Sequence, residues 1–300
     1  TPDGISRTFN VYRRDVDTTS LGTGTYKTSS YGTGVSFGMP LNERDSISAG
    51  LTFDFTDVSL DQTSPQQYIA YCAGNLSCSY YSLVANLGWA HDTRDNPLFP
   101  KSGIFQRMNA EVGLPGLDLQ YYKLEYKHSW YDPISNDFTL MLNGAFGYAG
   151  NYGNGTYPFF KNFWVGGVDS VRGYDTSAIG PYTQPRTVLD PNSTTTPQGT
   201  IIVPGFYTGG TKKVVGNAEL FFPIPGAKDS NQLRLSVFFD AGQVWESSQS
   251  INFGDLRYST GAGVAWYSPF GPIKLVFAKA LNPSSTDRTQ IIQFQLGQQF

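Results

Sequence analysis

The chain has 300 residues, of which only 15% are charged and 15% are aromatic, and its formal net charge is −3. Soluble domains usually contain about 25% charged residues, so a normal solvated surface is not expected. The mean hydropathy is −0.29, and the sequence has no apolar run of about 18 residues, which excludes a membrane-spanning helix. The slight net charge and the lack of basic clusters give no reason to expect a nucleic-acid partner.

Alternation of apolar and polar residues recurs along the whole sequence. Each alternating segment has about the nine to eleven residues, or more, that a tilted membrane strand requires. The pattern predicts twelve strands, near 4–14, 30–39, 46–58, 80–91, 103–113, 119–132, 137–149, 213–223, 232–245, 256–268, 272–281 and 290–300.

The two faces of these strands differ in polarity. In the third predicted strand, Leu51 and Phe53 share a face that opposes Thr52 and Asp54, which indicates one face toward lipid and one toward a wet lumen. A soluble β-sandwich also alternates, but apolar faces on all twelve strands and aromatic residues near strand ends favour a membrane protein. The predicted fold class is therefore all-β, an antiparallel transmembrane β-barrel.

Connection lengths predict two different rims, one with tight turns and one with long loops. The short set is rich in Pro, Gly, Asn and Asp, and it comprises MPLNERD, VGLPGLD, YDPISND, FPIPGAKDSN and YSPFGP. We assign HDTRDNPLFPKSG (91–103) and the stretch 150–212 to the long set. A connection as long as 150–212 is usually functional or disordered.

Cys72 and Cys78 lie six positions apart between loop-type residues. In an oxidising envelope compartment we expect a disulfide that closes a small exposed loop, and two free thiols are the alternative. Zinc would need further ligands, and the chain has only His91 and His128, so we expect no metal site.

The charged segment 91–103 raises the question of catalysis. Asp92, Arg94 and Asp95 can form local ion pairs there, but no Ser or Cys nucleophile lies in a recognisable elbow. We expect a structural role for this segment, no enzymatic activity and no cofactor.

The segment VGGVDSVRGY (165–174) resembles the Val-Arg-Gly-Phe/Tyr motif of the BamA family of outer-membrane assembly factors and their two-partner-secretion and chloroplast relatives. The flanking features GNAELFFP, FFDAGQVW and a terminal amphipathic strand follow in the family's order, so the resemblance extends from near residue 1 to residue 300. It implies that the loop 150–212 folds back into the barrel. The motif residues are Val171, Arg172, Gly173 and Tyr174.

The resemblance also implies that Arg172 meets two acidic residues of the barrel wall, Glu219 and Asp240. Alternation independently places both acids on lumen faces, since Glu219 opposes Ala218 and Leu220. A guanidinium between two carboxylates can form charge-assisted hydrogen bonds. The alternative, a solvated loop arginine, would be preferred without the neighbouring motif.

The terminal sequence QIIQFQLGQQF is similar to the C-terminal signal of bacterial outer-membrane barrels, an amphipathic strand ending in an aromatic residue. Phe294, Leu296 and Phe300 share its apolar face, and Gly297 is placed to bend or unpair the strand. In the family, client barrels are thought to enter beside this last strand.

Members of that family have a sixteen-stranded barrel preceded by periplasmic repeat domains. The resemblance therefore implies that residues 1–300 are one barrel domain, the C-terminal twelve strands of a longer protein. Because open edges are costly in lipid, we expect the first strand to face the last, or two copies to pair.

The implied function is assembly of β-barrel proteins into the bacterial outer membrane. The implied partners are unfolded outer-membrane proteins, accessory lipoproteins of the assembly complex and outer-membrane lipids. The alternative is a translocation pore of the two-partner-secretion type, which shares the Val-Arg-Gly-Tyr-type loop.

Overall fold

The protein is described by a computed structural model that covers residues 4–19, 23–153, 155–189, 199–224, 233–268 and 271–297. Within this part of the chain, twelve strands form one antiparallel sheet whose spatial order follows the sequence. Its first six strands are β1 (Ser6–Asp17), β2 (Tyr26–Pro40), β3 (Asp45–Leu60), β4 (Ser77–Asp92), β5 (Gly103–Gly113) and β6 (Tyr121–Pro133).

The seventh strand, β7 (Thr139–Asn151), precedes the long loop, in which β8 (Arg186–Leu189) and β9 (Thr200–Val203) form a separate two-stranded hairpin. The sheet continues with β10 (Lys212–Phe222), β11 (Leu233–Trp245), β12 (Arg257–Ser268), β13 (Gly271–Ala280) and β14 (Ile292–Leu296). The predicted antiparallel barrel wall is confirmed, with β10 pairing directly with β7 across the long loop.

The sheet has an apolar outer face and a polar inner face, as the alternation predicts. Leu51 and Phe53 on β3 are exposed, whereas Thr56 on the opposite face of the strand is buried. Asp54 accepts a hydrogen bond from the hydroxyl of Tyr12 inside the wall. The same separation recurs on β11, where Val237 is exposed and Ser236 is buried. Lipid contact on one face and packing against the long loop on the other account for this pattern.

The rim assignment of two connections is wrong. The alternating direction of the strands places 91–103, between β4 and β5, at the rim of the short turns, and VGLPGLD, between β5 and β6, at the rim of the long loops. Length alone misled the prediction, because in an antiparallel meander the parity of the strands determines the rim. Segment 91–103 folds inward, and Arg234 of β11 donates hydrogen bonds to the carbonyl oxygens of Pro100 (3.0 Å) and Phe99 (3.2 Å).

The long loop folds into the space inside the wall. Its Phe163, Val165 and Val171 are at most 3% exposed and form one core cluster with Val215 of β10 and Val244 of β11. Part of the loop forms regular structure, namely the hairpin of β8 and β9 and a 3₁₀ turn at Phe159–Lys161. Among the described residues no helix combines the length and the apolar character that crossing a membrane would need.

Cys72 and Cys78 form a disulfide at the rim of the long loops. It closes the exposed loop 73–77, as predicted, although Cys72 itself is only 3% exposed. The cysteine follows a short helix, α1 (Gln66–Tyr71), whose Tyr68 stacks on Phe159 of the long loop at 3.9 Å between ring centroids. A six-residue helix is too short for hydrophobic periodicity to reveal.

The two ends of the sheet are β1 and β14. In the described part of the chain β1 pairs only with β2 and β14 only with β13, so the expected pairing of first with last strand is not found there. Residues 298–300, including Phe300, lie outside the described residues.

The disulfide generates a testable prediction. Replacing both cysteines by serine should loosen α1 from Phe159 and destabilise the segment locally by about 2 kcal/mol, since the disulfide restricts the opened state. Hydrogen exchange of residues 61–77 should accelerate in this variant while exchange in β5 and β6 stays unchanged. Equal exchange of 61–77 with and without the disulfide would contradict this role.

Candidate functional site

The centre of the candidate site is the guanidinium of Arg172, which is 2% exposed. Its Nε and Nη2 donate to Oδ2 and Oδ1 of Asp240, both at 2.7 Å. The backbone N–H of Arg172 also donates to Asp240 Oδ2 at 3.1 Å, and Nη1 donates to Glu219 Oε2 at 2.8 Å. The structure thus brings together the three residues that the sequence singled out.

Strand register explains why the two acids meet one arginine. Glu219 on β10 lies opposite Phe238 of β11, and Asp240 lies two positions further along β11, opposite Asn217. Both acidic side chains point into the lumen and are at most 3% exposed. Adjacent strands therefore offer two carboxylates at a separation that one planar guanidinium can bridge.

The charges of the cluster are stabilised by more than ion pairing. The guanidinium carbon of Arg172 lies 3.4 Å from the ring centroid of Phe238, so the arginine packs against an aromatic face while its edge bonds the acids. Burial opposes the charge of Arg172. The hydrogen bonds that it donates to Asp240 and the charge of Glu219 nevertheless raise the pKa of the guanidinium above its ordinary value. The arginine therefore stays charged in its buried position.

A row of side chains connects this cluster to the neighbouring wall. Asn217 Nδ2 donates to Asp240 Oδ1 at 2.8 Å and to the carbonyl oxygen of Ser170 at 2.7 Å, so it contacts both wall and loop. Asn143 of β7 donates to Asn217 at 2.8 Å, and Ser129 of β6 donates to Asn143 at 2.8 Å. The buried acid is thus oriented by a chain of hydrogen bonds across four strands.

The loop has a second attachment, on β5 and β6. Lys161 Nζ lies 2.6 Å from Glu111 Oε1 of β5, and Lys123 Nζ of β6 donates to the carbonyl oxygen of Lys161 at 3.1 Å. Phe163 lies between two cations, with Lys123 at 4.6 Å and Lys213 at 5.0 Å from its ring centroid. The loop is therefore held at two places on the wall, one at β5 and β6 and one at β10 and β11, on either side of β7.

The remaining motif residues pack tightly beside Arg172. Val171 and Tyr174 are fully buried, and the Tyr174 hydroxyl donates to the carbonyl oxygen of Tyr258 on β12 at 3.3 Å. Gly173 has φ +85°, and a Cβ there would lie 3.2 Å from the Cβ of Ala278 on β13. This position needs glycine both for its backbone conformation and for its close approach to the wall.

The final strand presents its predicted apolar face outward. Phe294 is 63% and Leu296 is 58% exposed, and Gly297, with φ +82°, directly follows the end of β14. A left-handed backbone at this point is compatible with the bend expected at Gly297.

Sequence reasoning missed several residues of the site: Lys161, Glu111, Asn217 and Gln293. Alternation places Asn217 on the lumen face beside Glu219, so the signal for it was present. The partners of Lys161 and Gln293 depend on the path of the folded loop, which no local pattern encodes. Within the described ranges no group of three or more His, Cys, Asp or Glu side chains could hold a metal ion.

Removing the arginine should release the loop. Arg172→Ala strands two buried carboxylates, a change that typically costs about 3–5 kcal/mol. We expect proteases to cleave within 155–189 in this variant but not in the wild type. Arg44→Ala, which removes an exposed arginine from the turn between β2 and β3, is the matched control. Equal protection of the loop in all three proteins would show that Arg172 does not hold it.

The two acids should contribute unequally. Asp240 accepts three hydrogen bonds from Arg172 and one from Asn217, whereas Glu219 accepts one from Arg172. Asp240→Asn should therefore accelerate hydrogen exchange at residues 170–174 more than Glu219→Gln does. An equal or reversed order would contradict this distribution of bonds.

The Omp85 superfamily domain matches residues 1–300. The outer membrane protein assembly factor BamA of Neisseria meningitidis serogroup B is 35% identical over 334 residues, which cover 100% of this chain and 40% of that protein. The chain thus spans less than half the length of this curated relative.

Two solved structures show the same architecture. The structure of BamA from Haemophilus ducreyi lacking POTRA domains 1–3 matches 98% of this chain and 59% of its own, with a TM-score of 0.83 and 24% identity. CdiB from Acinetobacter baumannii matches 97% of this chain and 46% of its own, with a TM-score of 0.54 and 11% identity. At these identities the structural matches show the fold alone. Together with the sequence match over all 300 residues, they establish that this chain is an outer-membrane β-barrel region and belongs to the Omp85 superfamily.

Proposed function

We propose that the protein containing this chain assembles β-barrel proteins into the bacterial outer membrane. The observation that carries the proposal is the 35% identity to a curated assembly factor across the whole chain. The buried Arg172 cluster is proposed to act as the latch that holds the long loop inside the wall, next to the strand at which clients would pair.

The last strand supplies the surface for this activity. Among the described residues, β14 pairs on one side with β13 and carries no strand on its other side. Its Phe294 and Leu296 point outward, as a lipid-facing strand requires. An extended client segment can add to such an edge through main-chain hydrogen bonds, with alternating side chains matching lipid and lumen.

Unfolded outer-membrane proteins are the proposed clients, and the exposed apolar faces of the wall are proposed to contact outer-membrane lipids. Accessory lipoproteins are a proposed partner class that rests on the family resemblance alone. The reaction needs no covalent step, because strand pairing and burial of apolar faces in lipid both lower the free energy of the client. We therefore propose that no cofactor and no catalytic residue take part.

The alternative is a two-partner-secretion-type translocation pore. The motif does not separate the two functions, because both branches share it. The 35% identity to a curated assembly factor over the whole chain favours the assembly function.

Reconstitution tests the proposal. Full-length protein in liposomes should accelerate the folding of an added unfolded outer-membrane barrel, measured by the mobility shift between heated and unheated samples on gels. Arg172→Ala should lower this acceleration about tenfold or more if the latch is required, since a factor of ten corresponds to only about 1.4 kcal/mol. Arg44→Ala should behave as the wild type.

Depletion in cells separates the two functions. An assembly factor should be needed for many outer-membrane barrels, so all of them should decrease. Loss of a single secreted protein, with other barrels unchanged, would refute the assembly function and favour the pore.

A further inference from the structure

The side chain of Gln293, on the lumen face of β14, bonds the backbone of the loop motif in two directions. Its Oε1 accepts a hydrogen bond from the backbone N–H of Gly173 at 3.1 Å, and its Nε2 donates to the carbonyl oxygen of Tyr174 at 2.7 Å. Gln293 is only 2% exposed. One side-chain amide therefore satisfies the buried N–H of Gly173 and shares the carbonyl oxygen of Tyr174 with the N–H of Gly167.

The main chain before β14 also pairs with the motif. Gln290 N–H donates to the Gly173 carbonyl oxygen at 3.0 Å, and Asp175 N–H donates to the Arg288 carbonyl oxygen at 2.9 Å. Tyr174 forms an antiparallel bridge with Thr289. The residues that precede β14 are thus hydrogen-bonded to the loop motif.

Within the described residues, the ladder between β14 and β13 has five residue pairs, from Ile273 with Leu296 to Phe277 with Ile292. The N–H groups of Ala278 and Gly297 add one main-chain hydrogen bond at each end, to Ile291 and Pro272. In comparison, ten pairs join β12 to β13. A short ladder opens more readily than a long one, so the contact with the loop adds to what retains β14 within the described residues.

We propose that Gln293 is the positioning residue through which the Arg172 loop holds β14 against β13, so that the free edge of β14 keeps the position at which a client strand adds. This inference rests on the proposed assembly function for its consequence. Its structural basis is the pair of hydrogen bonds between one buried amide and the motif backbone.

When the contact breaks, the N–H of Gly173 loses its partner inside a buried site, which is costly unless water enters. The carbonyl oxygen of Tyr174 then keeps only the hydrogen bond from the N–H of Gly167. Release of the loop and release of β14 are therefore linked, and each must favour the other to the same extent. The Arg172 cluster holds the loop, and Gln293 transmits that state to the edge of the sheet.

Hydrogen exchange of the full-length protein in lipid bilayers tests the contact. Gln293→Leu removes both bonds and keeps a similar side-chain length, so exchange at 292–296 and at 172–175 should accelerate together, about tenfold or more. Gln293→Glu keeps the acceptor for Gly173 and loses the donor to Tyr174, so it should give an intermediate rate. If Gln293→Leu does not fold, Gln293→Glu alone tests the contact.

Gln290→Leu is the matched control. Gln290 is exposed and contributes its backbone N–H to the motif, which leucine retains, so exchange should stay at the wild-type rate. Exchange in β4 to β6 should be unchanged in every variant, which separates a local release of β14 from general destabilisation. Wild-type exchange at 292–296 in Gln293→Leu would overturn the proposal.

A crosslinking measurement tests whether Gln293 affects pairing of β14 with a client. Photo-crosslinking from position 294 to an unfolded client should change in rate in Gln293→Leu relative to Gln290→Leu. An unchanged rate despite faster exchange of β14 would overturn the claim that Gln293 controls the edge. If the wild-type protein shows no crosslinking and no acceleration of client folding, the assembly function fails, while the exchange data still decide the contact itself.

Discussion

The buried charge of Arg172 is the interaction on which the arrangement inside the barrel wall depends. A charged guanidinium at 2% exposure is stable only because Asp240 and Glu219 accept its hydrogen bonds and Phe238 covers its face. The two acids belong to adjacent strands of the wall, so the loop cannot leave without stranding both of them. One side chain thereby converts a long, glycine-containing connection into a fixed element of the lumen.

The second attachment fixes this loop to the wall on both sides of β7. Lys161 binds Glu111 of β5 while Arg172 binds β10 and β11, and aromatic residues between them fill the interior. Ion pairs between specific side chains fix the position of the loop inside the wall, which apolar packing alone would not determine. The same loop then contacts β14, so the interior of the barrel and the edge of its sheet are physically continuous.

Much of the fold follows from the sequence because a strand has period two. Alternation placed Glu219 and Asp240 on lumen faces, and identified all twelve strands of the wall, without any structural information. Arg172 lies in a region without periodicity, and only the motif resemblance connected it to those acids. Gln293 and its partner Tyr174 are 119 positions apart, and their contact arises from the folded path of the loop. The helix α1 and the rim of segment 91–103 were missed because one is short and the other required counting strand directions.

The central claim is that the motif is part of the folded wall and not a mobile loop. Residue-resolved hydrogen exchange of the wild-type protein in bilayers tests it directly at the amides of Arg172 and Gly173, which donate to Asp240 and Gln293. These amides should be protected as strongly as those of β10 and β11. Exchange as fast as that of the exposed connection 247–250 would contradict a latch at Arg172.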